Sequence, residues 1–346
     1  MNTISNKPKS ASNKAFFSKS AESAISDFSL RGQEIIKMRY GIGGEVSKTL
    51  EEIGGNYQIT RERVRQIVKE VFKKLGKKKE SPILDQVKEK MLFQIQERSG
   101  IIKEEELLSV LSGGSKKEEG AIIFFLEFFD EFVLVEIPGE TEKAWRIKNF
   151  SLEDWRKAKD VVKNILEESS KPVEDMELSE EFLKRNVGID EKKMFDYLAV
   201  SSEIKKNVFS KWGLSSNQEI TPKGTREKIY LVLKETGMPL HFKKIADLID
   251  KHNLNKKKTH PQTVHNELIR DKRFVLVGRG IYALSEWGYK RGTVKDVLEE
   301  ILKKVRNQCR KMKFWKRFST FEKSRKRLSS SILTAFSKKS EKTCTP

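Results

Sequence analysis

The sequence is poor in residues that build disulfide and metal sites, with two cysteines, Cys309 and Cys344, and four histidines in 346 residues. Two cysteines cannot form a disulfide framework, and the histidines lack the spacing of zinc ligands. The most apolar stretch, residues 121–137, is short and contains four acidic residues, which argues against a membrane span. The polar N-terminus has no apolar core and does not resemble a signal peptide. We therefore expect a cytoplasmic chain that binds no metal.

Catalytic motifs are also missing from the sequence. The chain has no P-loop, no HExxH, no glycine-rich dinucleotide motif after a strand and no convincing Cys/His pair. The glycines within residues 41–44 follow no phosphate-binding strand. We expect no enzymatic activity and no cofactor, and the remaining patterns favour a binding function.

The net charge of +20 is unevenly distributed along the chain. Residues 31–80 carry 13 Lys and Arg against 7 Asp and Glu, and residues 222–290 carry 15 against 7. Residues 81–221 are acidic, with 21 against 29, whereas residues 303–346 carry 15 against 2. Basic segments that flank an acidic middle predict a polyanionic partner for the basic segments alone.

The N-terminal quarter of the chain predicts a disordered arm followed by a helix-turn-helix. Residues 1–28 are polar and rich in Ser and Lys. The segment from Arg31 to Gly41 has the apolar spacing of a short amphipathic helix. The next segment, TLEEIGGNYQITRERVRQIVKEVFKKL, predicts two helices separated by a tight turn, with a Thr49–Glu52 capping box at the first and Thr60 as the cap of the second. The inward stripe of the second helix comprises Val64, Ile67, Val68, Val71 and Leu75.

The segments RGQEIIKMRYGI and TLEEIGGNYQITRERVRQIVKEVFKKL resemble the fourth conserved region of housekeeping-type bacterial sigma factors, which recognises the promoter −35 element. The resemblance defines a domain at residues 29–79, in which Gly55 and Val68 depart from the family pattern. It implies base contacts from the start of the second helix, where Arg can pair with guanine, Glu with cytosine and Gln with adenine. The implied base contacts are Arg61, Glu62, Arg65 and Gln66, and the implied phosphate contacts are Lys48, Thr49, Thr60, Arg63 and Lys69.

The same resemblance implies a protein partner. In sigma factors this region also binds the flap of the RNA polymerase β subunit through its earlier helices, which here contain Ile35, Ile36 and Met38. Hydrophobic core is the favoured role of these three side chains. A sigma factor also needs an aromatic-rich region that melts the −10 element, and no such tract precedes Arg31. We therefore expect a protein that recognises a −35-like element without −10 melting.

Beyond residue 80 the sequence repeats a pattern of about 70 residues. Each repeat has three predicted helices followed by two short strands, which is the winged-helix plan, and the units lie at 81–150, 151–220 and 221–290. Residues 291–346 are predicted to be an aborted fourth unit and a basic tail, in which Phe314, Trp315 and Phe318 add stacking to charge. The aromatic side chains predicted to fill the core of the first unit are Phe124, Phe125, Phe128, Phe129 and Phe132.

The third unit carries PLHFKKIADLI, THPQTVHNELIRD and FVLVGRGIYAL, which resemble the winged-helix family shared by the δ subunit of RNA polymerase, Asx-like proteins and some restriction enzymes. The resemblance implies binding to DNA or to polymerase. We expect Thr259 to cap the third helix, Pro261 to lie in its first turn and His241 to have a structural role before the second. The predicted core residues are Val264, Leu268 and Ile269. The predicted contacts are Lys257, Lys258, Gln262, His265, Asn266, Arg270 and Arg279.

The fold class that these patterns predict is mainly α, with a sigma region 4-like helix-turn-helix followed by tandem winged-helix domains. The predicted function is sequence-specific binding of double-stranded, promoter-like DNA in bacterial transcription, in a cytoplasmic and nucleoid-associated protein. One alternative is an RNA polymerase adaptor whose sigma-like domain contacts protein and whose acidic units mimic nucleic acid. A third hypothesis, an accessory subunit of a DNA-modifying system, depends on the winged-helix resemblance alone.

Overall fold

A computed structural model describes residues 15–77, 81–169 and 171–289. The start of the predicted arm, the aborted fourth unit and the basic tail with Phe314, Trp315 and Phe318 lie outside these residues. The chain forms two compact units. The first contains the described residues up to Lys206 together with Ser210–Ser216, and the second contains Asn207–Phe209 and the described residues from Asn217 onward. Within the described ranges, none of the helices has the length and apolarity needed to cross a bilayer.

The first unit begins with four helices, and the first of them corrects the sequence analysis. Residues 1–28 were expected to be disordered, but residues 16–25 form a helix. The helix forms because Phe17, Ala21 and Ile25 recur every four residues and are buried on one face. The four helices are α1 (Phe16–Ile25), α2 (Leu30–Tyr40), α3 (Leu50–Tyr57) and α4 (Arg61–Lys77).

The rest of the described chain repeats one topology three times, in the order helix, strand, two helices and two strands. The first repeat comprises α5 (Pro82–Glu97), β1 (Ile101–Lys103), α6 (Glu104–Ser112), α7 (Lys116–Phe128), β2 (Phe132–Val135) and β3 (Ala144–Ile147). The second comprises α8 (Leu152–Ser169), β4 (Val173–Glu174), α9 (Asp175–Lys184), α10 (Glu191–Val200), β5 (Ile204–Lys206) and β6 (Lys211–Leu214). The third comprises α11 (Thr225–Thr236), β7 (Leu240–His241), α12 (Phe242–Lys251), α13 (Pro261–Arg270), β8 (Phe274–Gly278) and β9 (Ile281–Leu284).

Each repeat contains a three-stranded antiparallel sheet with its last strand in the centre, in the orders β1-β3-β2, β4-β6-β5 and β7-β9-β8. The predicted hairpins are the second and third strands of these sheets. The first strands are additional, and their two or three residues are too short to show the alternation that identifies a strand. The fold-class prediction is confirmed, because a helix-turn-helix precedes a series of winged-helix units.

One hydrophobic core joins the first four helices to the first winged-helix unit. It contains residues from α1, α2 and α4 together with residues from α5, α6 and α7. At its centre the ring of Phe72 lies 5.5 Å from that of Phe124 and 6.3 Å from that of Tyr40. The predicted aromatic core is confirmed, with Phe124 and Phe125 fully buried and Phe128 packed against the cluster.

Two contacts define how closely α7 approaches the earlier helices. A Cβ atom on Gly120 would lie 2.1 Å from the carbonyl oxygen of Tyr40, so only glycine permits this contact. The buried carboxylate of Glu118 accepts hydrogen bonds from the backbone amides of Phe17, at 2.7 Å, and Ser18, at 3.2 Å. It thus satisfies amides at the N-terminus of α1 that the helix itself leaves without partners.

The second winged-helix unit also packs on the first through its third helix. α10 packs against β1, and Ser99 donates a hydrogen bond to Asp196 at 2.6 Å. The hairpin loop of the first unit follows, since the amide of Glu142 donates to the carbonyl of Val200 at 3.0 Å. Lys159, almost fully buried, lies 3.1 Å from Glu203 beside this joint. The third helices of both acidic units are therefore used inside the protein.

Candidate nucleic-acid interface

The reading end of α4 is held by two caps. The hydroxyl of Thr49 accepts a hydrogen bond from the amide of Glu52 at 3.2 Å, and the carboxylate of Glu52 accepts one from the amide of Thr49 at 2.7 Å. The hydroxyl of Thr60 accepts a hydrogen bond from the amide of Arg63 at 3.2 Å. Both predicted caps, including the capping box, are confirmed.

The turn between α3 and α4 depends on one of two adjacent glycines. The amide of Ile59 donates to the carbonyl of Gly54 at 3.0 Å as the chain crosses back over α3. A Cβ on Gly54 would lie 2.6 Å from the carbonyl oxygen of Ile59, which is too close for any real side chain. A Cβ on Gly55 would meet nothing within 4 Å. The sequence analysis noted Gly55 as a departure and missed the structural requirement at Gly54.

The four predicted base-contacting side chains share the exposed side of α4. Arg61, Glu62, Arg65 and Gln66 are all exposed, while Val64 between them is fully buried. The predicted inward stripe is confirmed, with Val64, Val71 and Leu75 buried and Ile67 and Val68 half-buried. Because the C-terminal half of α4 lies in the shared core, the exposed N-terminal turns are part of a rigid element.

These side chains pair with each other in the unbound protein. Arg65 Nε donates to the Glu62 carboxylate at 2.8 Å, and Arg63 Nη1 donates to Gln66 Oε1 at 3.1 Å. The hydrogen bond from Arg65 lowers the pKa of Glu62, which therefore stays ionised at neutral pH. Guanine O6 and N7 can accept from Arg65 in place of Glu62, and a cytosine amino group can donate to the carboxylate.

The predicted phosphate contacts differ in how free they are. Lys69 is exposed, and Lys48 is half-buried, with its amide donating to the carbonyl of Met38 at 2.8 Å. The hydroxyls of Thr49 and Thr60 are both used in capping, as described above, and Thr49 Oγ1 also lies 2.8 Å from the Glu52 carboxylate. Arg63, which pairs with Gln66, also lies 3.7 Å from the Glu70 carboxylate.

The opposite side of this module is closed by packing. Ile35 and Ile36, two of the side chains considered for contact with the polymerase flap, are fully buried in the two cores of the module. Met38 is half-buried against the smaller core. All three therefore belong to the core, as the sequence analysis favoured.

The third winged-helix unit begins its third helix differently from the prediction. Pro261 is the first residue of α13, as expected, but the N-cap is His260, whose Nδ1 accepts from the amide of Gln262 at 3.3 Å. Thr259 is not the cap, because it is buried and its hydroxyl accepts from the Asn255 side-chain amide at 2.7 Å. The structural role expected for His241 is confirmed, since His241 caps α12.

The exposed face of α13 carries most of its predicted contacts. Gln262, Asn266 and Arg270 are exposed, whereas the ring of His265 stacks on Phe242 with 4.6 Å between centroids. Ile269 was predicted to be core, but 62% of it is exposed. Val264 and Leu268 already occupy the inward side of this ten-residue helix, and the next position along the helix is turned about 100° away from it.

Basic residues border this face. Lys257 and Lys258 are exposed on the loop before α13, and neither forms an ion pair with any residue that the structure describes. Arg279 is exposed at the tip of the β8–β9 hairpin. Gly280 beside it has φ +70°, and a Cβ there would lie 2.7 Å from His241 Nε2, so the base of the hairpin packs closely on α12.

Comparison with known proteins identifies two domain families in the chain. Residues 24–77 match sigma-70, region 4, and residues 225–287 match the HARE-HTH domain, a helix-turn-helix named for ASXL and restriction endonuclease. Similar proteins include RNA polymerase sigma factor SigA1 of Synechococcus elongatus, 40% identical over 63 residues, which are 18% of this chain and 16% of that protein. SigA of Nostoc is 41% identical over 54 residues, which are 16% and 14% of the two chains. RNA polymerase sigma factor sigB of Arabidopsis thaliana is 36% identical over 73 residues, which are 21% and 13%.

These matches establish a sigma region 4 helix-turn-helix and a winged-helix domain in one polypeptide. Both are DNA-binding classes of domain, and the first places the protein in transcription. The chain covers about one sixth or less of the length of the sigma factors cited above. No solved structure matches the chain.

Proposed function

We propose that this protein, which carries a sigma region 4 domain and a separate winged-helix domain, binds double-stranded DNA at a −35-like promoter element. The observation that supports this most directly is the exposed N-terminal end of α4. There Arg61, Glu62, Arg65 and Gln66 present guanidinium, carboxylate and amide groups on one rigid face. These are the groups that discriminate base pairs in the major groove, which admits a single α-helix.

The packing of the sigma-like module favours DNA over a protein partner. The apolar side chains Ile35 and Ile36 are fully buried, so they are not available to bind the polymerase flap. The charged face of α4 is the part of the module left open. An adaptor that binds polymerase alone remains the outcome to be tested against, because exposed charges can also contact protein.

The acidic winged-helix units act as structural connectors in this proposal. Their third helices, α7 and α10, pack against α1, α2 and β1 and are not free to enter a groove. The third helix of the last unit, α13, keeps an exposed face with Lys257, Lys258 and Arg279 around it. We assign a second DNA contact to this winged helix, with phosphates binding the three basic side chains.

The test is selection of binding sites from a random duplex library with the full-length protein. One variant carries Arg61→Ala and Arg65→Ala, and the matched control carries Lys73→Ala and Lys74→Ala. The control removes the same charge from exposed positions further along α4. Each arginine that pairs with guanine contributes about 1–3 kcal/mol of discrimination, so the reading variant is expected to lose the selected motif while the control keeps it.

The outcomes separate the two functions. A motif resembling the −35 element that disappears in the reading variant supports base recognition by α4. An equal loss of affinity in both variants, without a change in motif, would show that the arginines contribute charge alone. The absence of a motif, with capture of core RNA polymerase by the purified chain, would instead support the adaptor.

The proposal also covers −10 melting and location. The described residues outside the sigma-like module form α1 and winged-helix units, whereas melting in sigma factors uses a separate aromatic-rich region. We propose that the protein binds promoter-like duplex without opening it, in the nucleoid of the cytoplasm. Permanganate oxidation of thymines tests the first point, since unpaired thymines near the bound site in the absence of other factors would contradict it.

A further inference from the structure

The exposed faces of α4 and α13 differ in chemistry. The face of α4 is charged, whereas the first two turns of α13 expose only Gln262, Thr263 and Asn266. Further along the same face, at the spacing of helical turns, lie Ile269 and then Arg270. The only acidic residue of α13, Glu267, is turned aside and forms an ion pair with Arg226.

Side-chain amides and an aliphatic group match one kind of base pair. Asn and Gln form two hydrogen bonds with adenine N6 and N7, and an apolar side chain contacts the methyl group of thymine. Guanine is recognised mainly by Arg or Lys, and the first two turns of α13 expose neither. From this contrast with α4 we propose that α13 recognises A·T base pairs in the major groove. This inference depends on the proposed DNA contact of the winged helix and adds its base preference.

The amides are placed for this role. Gln262 Nε2 donates to Asn266 Oδ1 at 3.4 Å, so the two side chains lie next to each other on the exposed surface. The helix beneath them is fixed by the buried side chains of Val264 and Leu268. His265 packs between Phe242 and Tyr282, with ring centroids 4.6 Å and 5.8 Å away. The face therefore presents its groups without first having to order a loop.

The exposure of Ile269 is the observation that the basic surroundings do not explain. A phosphate-binding surface needs Lys257, Lys258 and Arg279 but gains nothing from an isoleucine that is 62% exposed. On a helix lying in the major groove, this side chain faces the edge where the thymine methyl projects. Burying it there removes apolar surface of both the protein and the base from water.

The first experiment compares the motifs selected by the full-length protein and two variants. One variant carries Gln262→Ala and Asn266→Ala, and the control carries Gln218→Ala, an exposed amide outside α13. The wild type and the control are expected to select an A·T block besides the −35-like block, and the α13 variant to select the −35-like block alone. Replacing one A·T pair of the block by G·C is expected to weaken wild-type binding roughly 5- to 100-fold.

The second experiment tests Ile269 with a chemical change in the DNA. Deoxyuridine in place of thymidine in the A·T block removes only the methyl group. We expect this to weaken wild-type binding about 4-fold, the equivalent of one buried methylene, and to have no further effect on the Ile269→Ala variant. Because Ile269 is exposed, this substitution is not expected to unfold the protein.

The results distinguish this inference from the proposed function. A −35-like block without an A·T block, or an A·T block that survives in the α13 variant, overturns the inference and leaves recognition by α4 intact. Loss of the −35-like block in the Arg61 and Arg65 variant, with the A·T block retained, supports both. Equal sensitivity of the wild type and Ile269→Ala to deoxyuridine overturns the role of Ile269.

Discussion

Alanine at Gly54 and alanine at Gly55 are expected to shift the stability of the helix-turn-helix in opposite directions. Both residues lie in α3, and both substitutions gain about 0.5–1 kcal/mol of helix preference. The Gly54 methyl group, however, would lie 2.6 Å from the carbonyl oxygen of Ile59, whereas the Gly55 methyl group meets nothing within 4 Å. The neighbouring positions thus provide a substitution and its own control.

The magnitude follows from the turn. Overpacking of a close contact costs about 1–3 kcal/mol. Moving Ile59 away also weakens its hydrogen bond to Gly54, which contributes about 0.5–1.5 kcal/mol. After the gain in helix preference is subtracted, Gly54→Ala is expected to destabilise the module by about 1–3 kcal/mol. Gly55→Ala is expected to stabilise it by about 0.5–1 kcal/mol.

The assay is hydrogen exchange of the backbone amides of Ile59 and Val64 in the full-length protein, with thermal unfolding measured in parallel. Both amides donate hydrogen bonds in or beside the turn, to Gly54 and Thr60 respectively. Gly54→Ala should speed their exchange and weaken DNA binding, and Gly55→Ala should slow it. Protection in Gly54→Ala equal to that of the wild type would refute the reasoning, as would an equal loss in both variants.

Two further predictions concern contacts within the first unit. Glu118→Ala leaves the amides of Phe17 and Ser18 without their buried acceptor, so unfolding by urea is expected to show a loss of about 2–4 kcal/mol; a loss as large in Ser26→Ala, an exposed hydroxyl at the end of α1, would contradict a specific role for Glu118. Hydrogen bonds from Lys163 and Lys159 lower the pKa of Glu203 below its ordinary value of 4.5, so this carboxylate stabilises the unit above about pH 4.5 and the contribution is lost as the pH falls through the lowered pKa. The melting temperature of the wild type should therefore fall more steeply below pH 4.5 than that of Glu203→Gln, and parallel profiles would contradict this.

Local patterns in the sequence were sufficient to predict most of the helix-turn-helix. The Thr49–Glu52 capping box, the cap at Thr60 and the inward stripe of α4 depend on residues within a few positions of each other, and all were confirmed. The repeat of three helices and a hairpin was also visible, because each unit encloses its own apolar pattern. The roles of Arg61, Glu62, Arg65 and Gln66 remain predictions, although the structure leaves all four exposed.

Errors arose where the deciding neighbour is distant in the sequence or where one turn of helix has two acceptable orientations. Residues 16–25 looked like part of a polar arm because their partner, the carboxylate of Glu118, lies about a hundred positions away. Ile269 looked like core because it is apolar, but Leu268 already fills the inward position. His260 displaced Thr259 as the cap because Asp250 and Asn255 hold the threonine in the interior.

By itself the sequence determined the class of each element, its bounds within a few residues and the side chains that each helix could offer to DNA. Those properties follow from helical periodicity, capping and charge, which act over short distances along the chain. Only the tertiary structure decided which of those helices are free to use them. α7 and α10 carry the same topological position as α13, but long-range packing covers them, with Gly120 admitting the backbone at Tyr40 and Asp196 binding Ser99. Close packing allows one neighbour per surface, so a face buried inside the protein is lost to DNA.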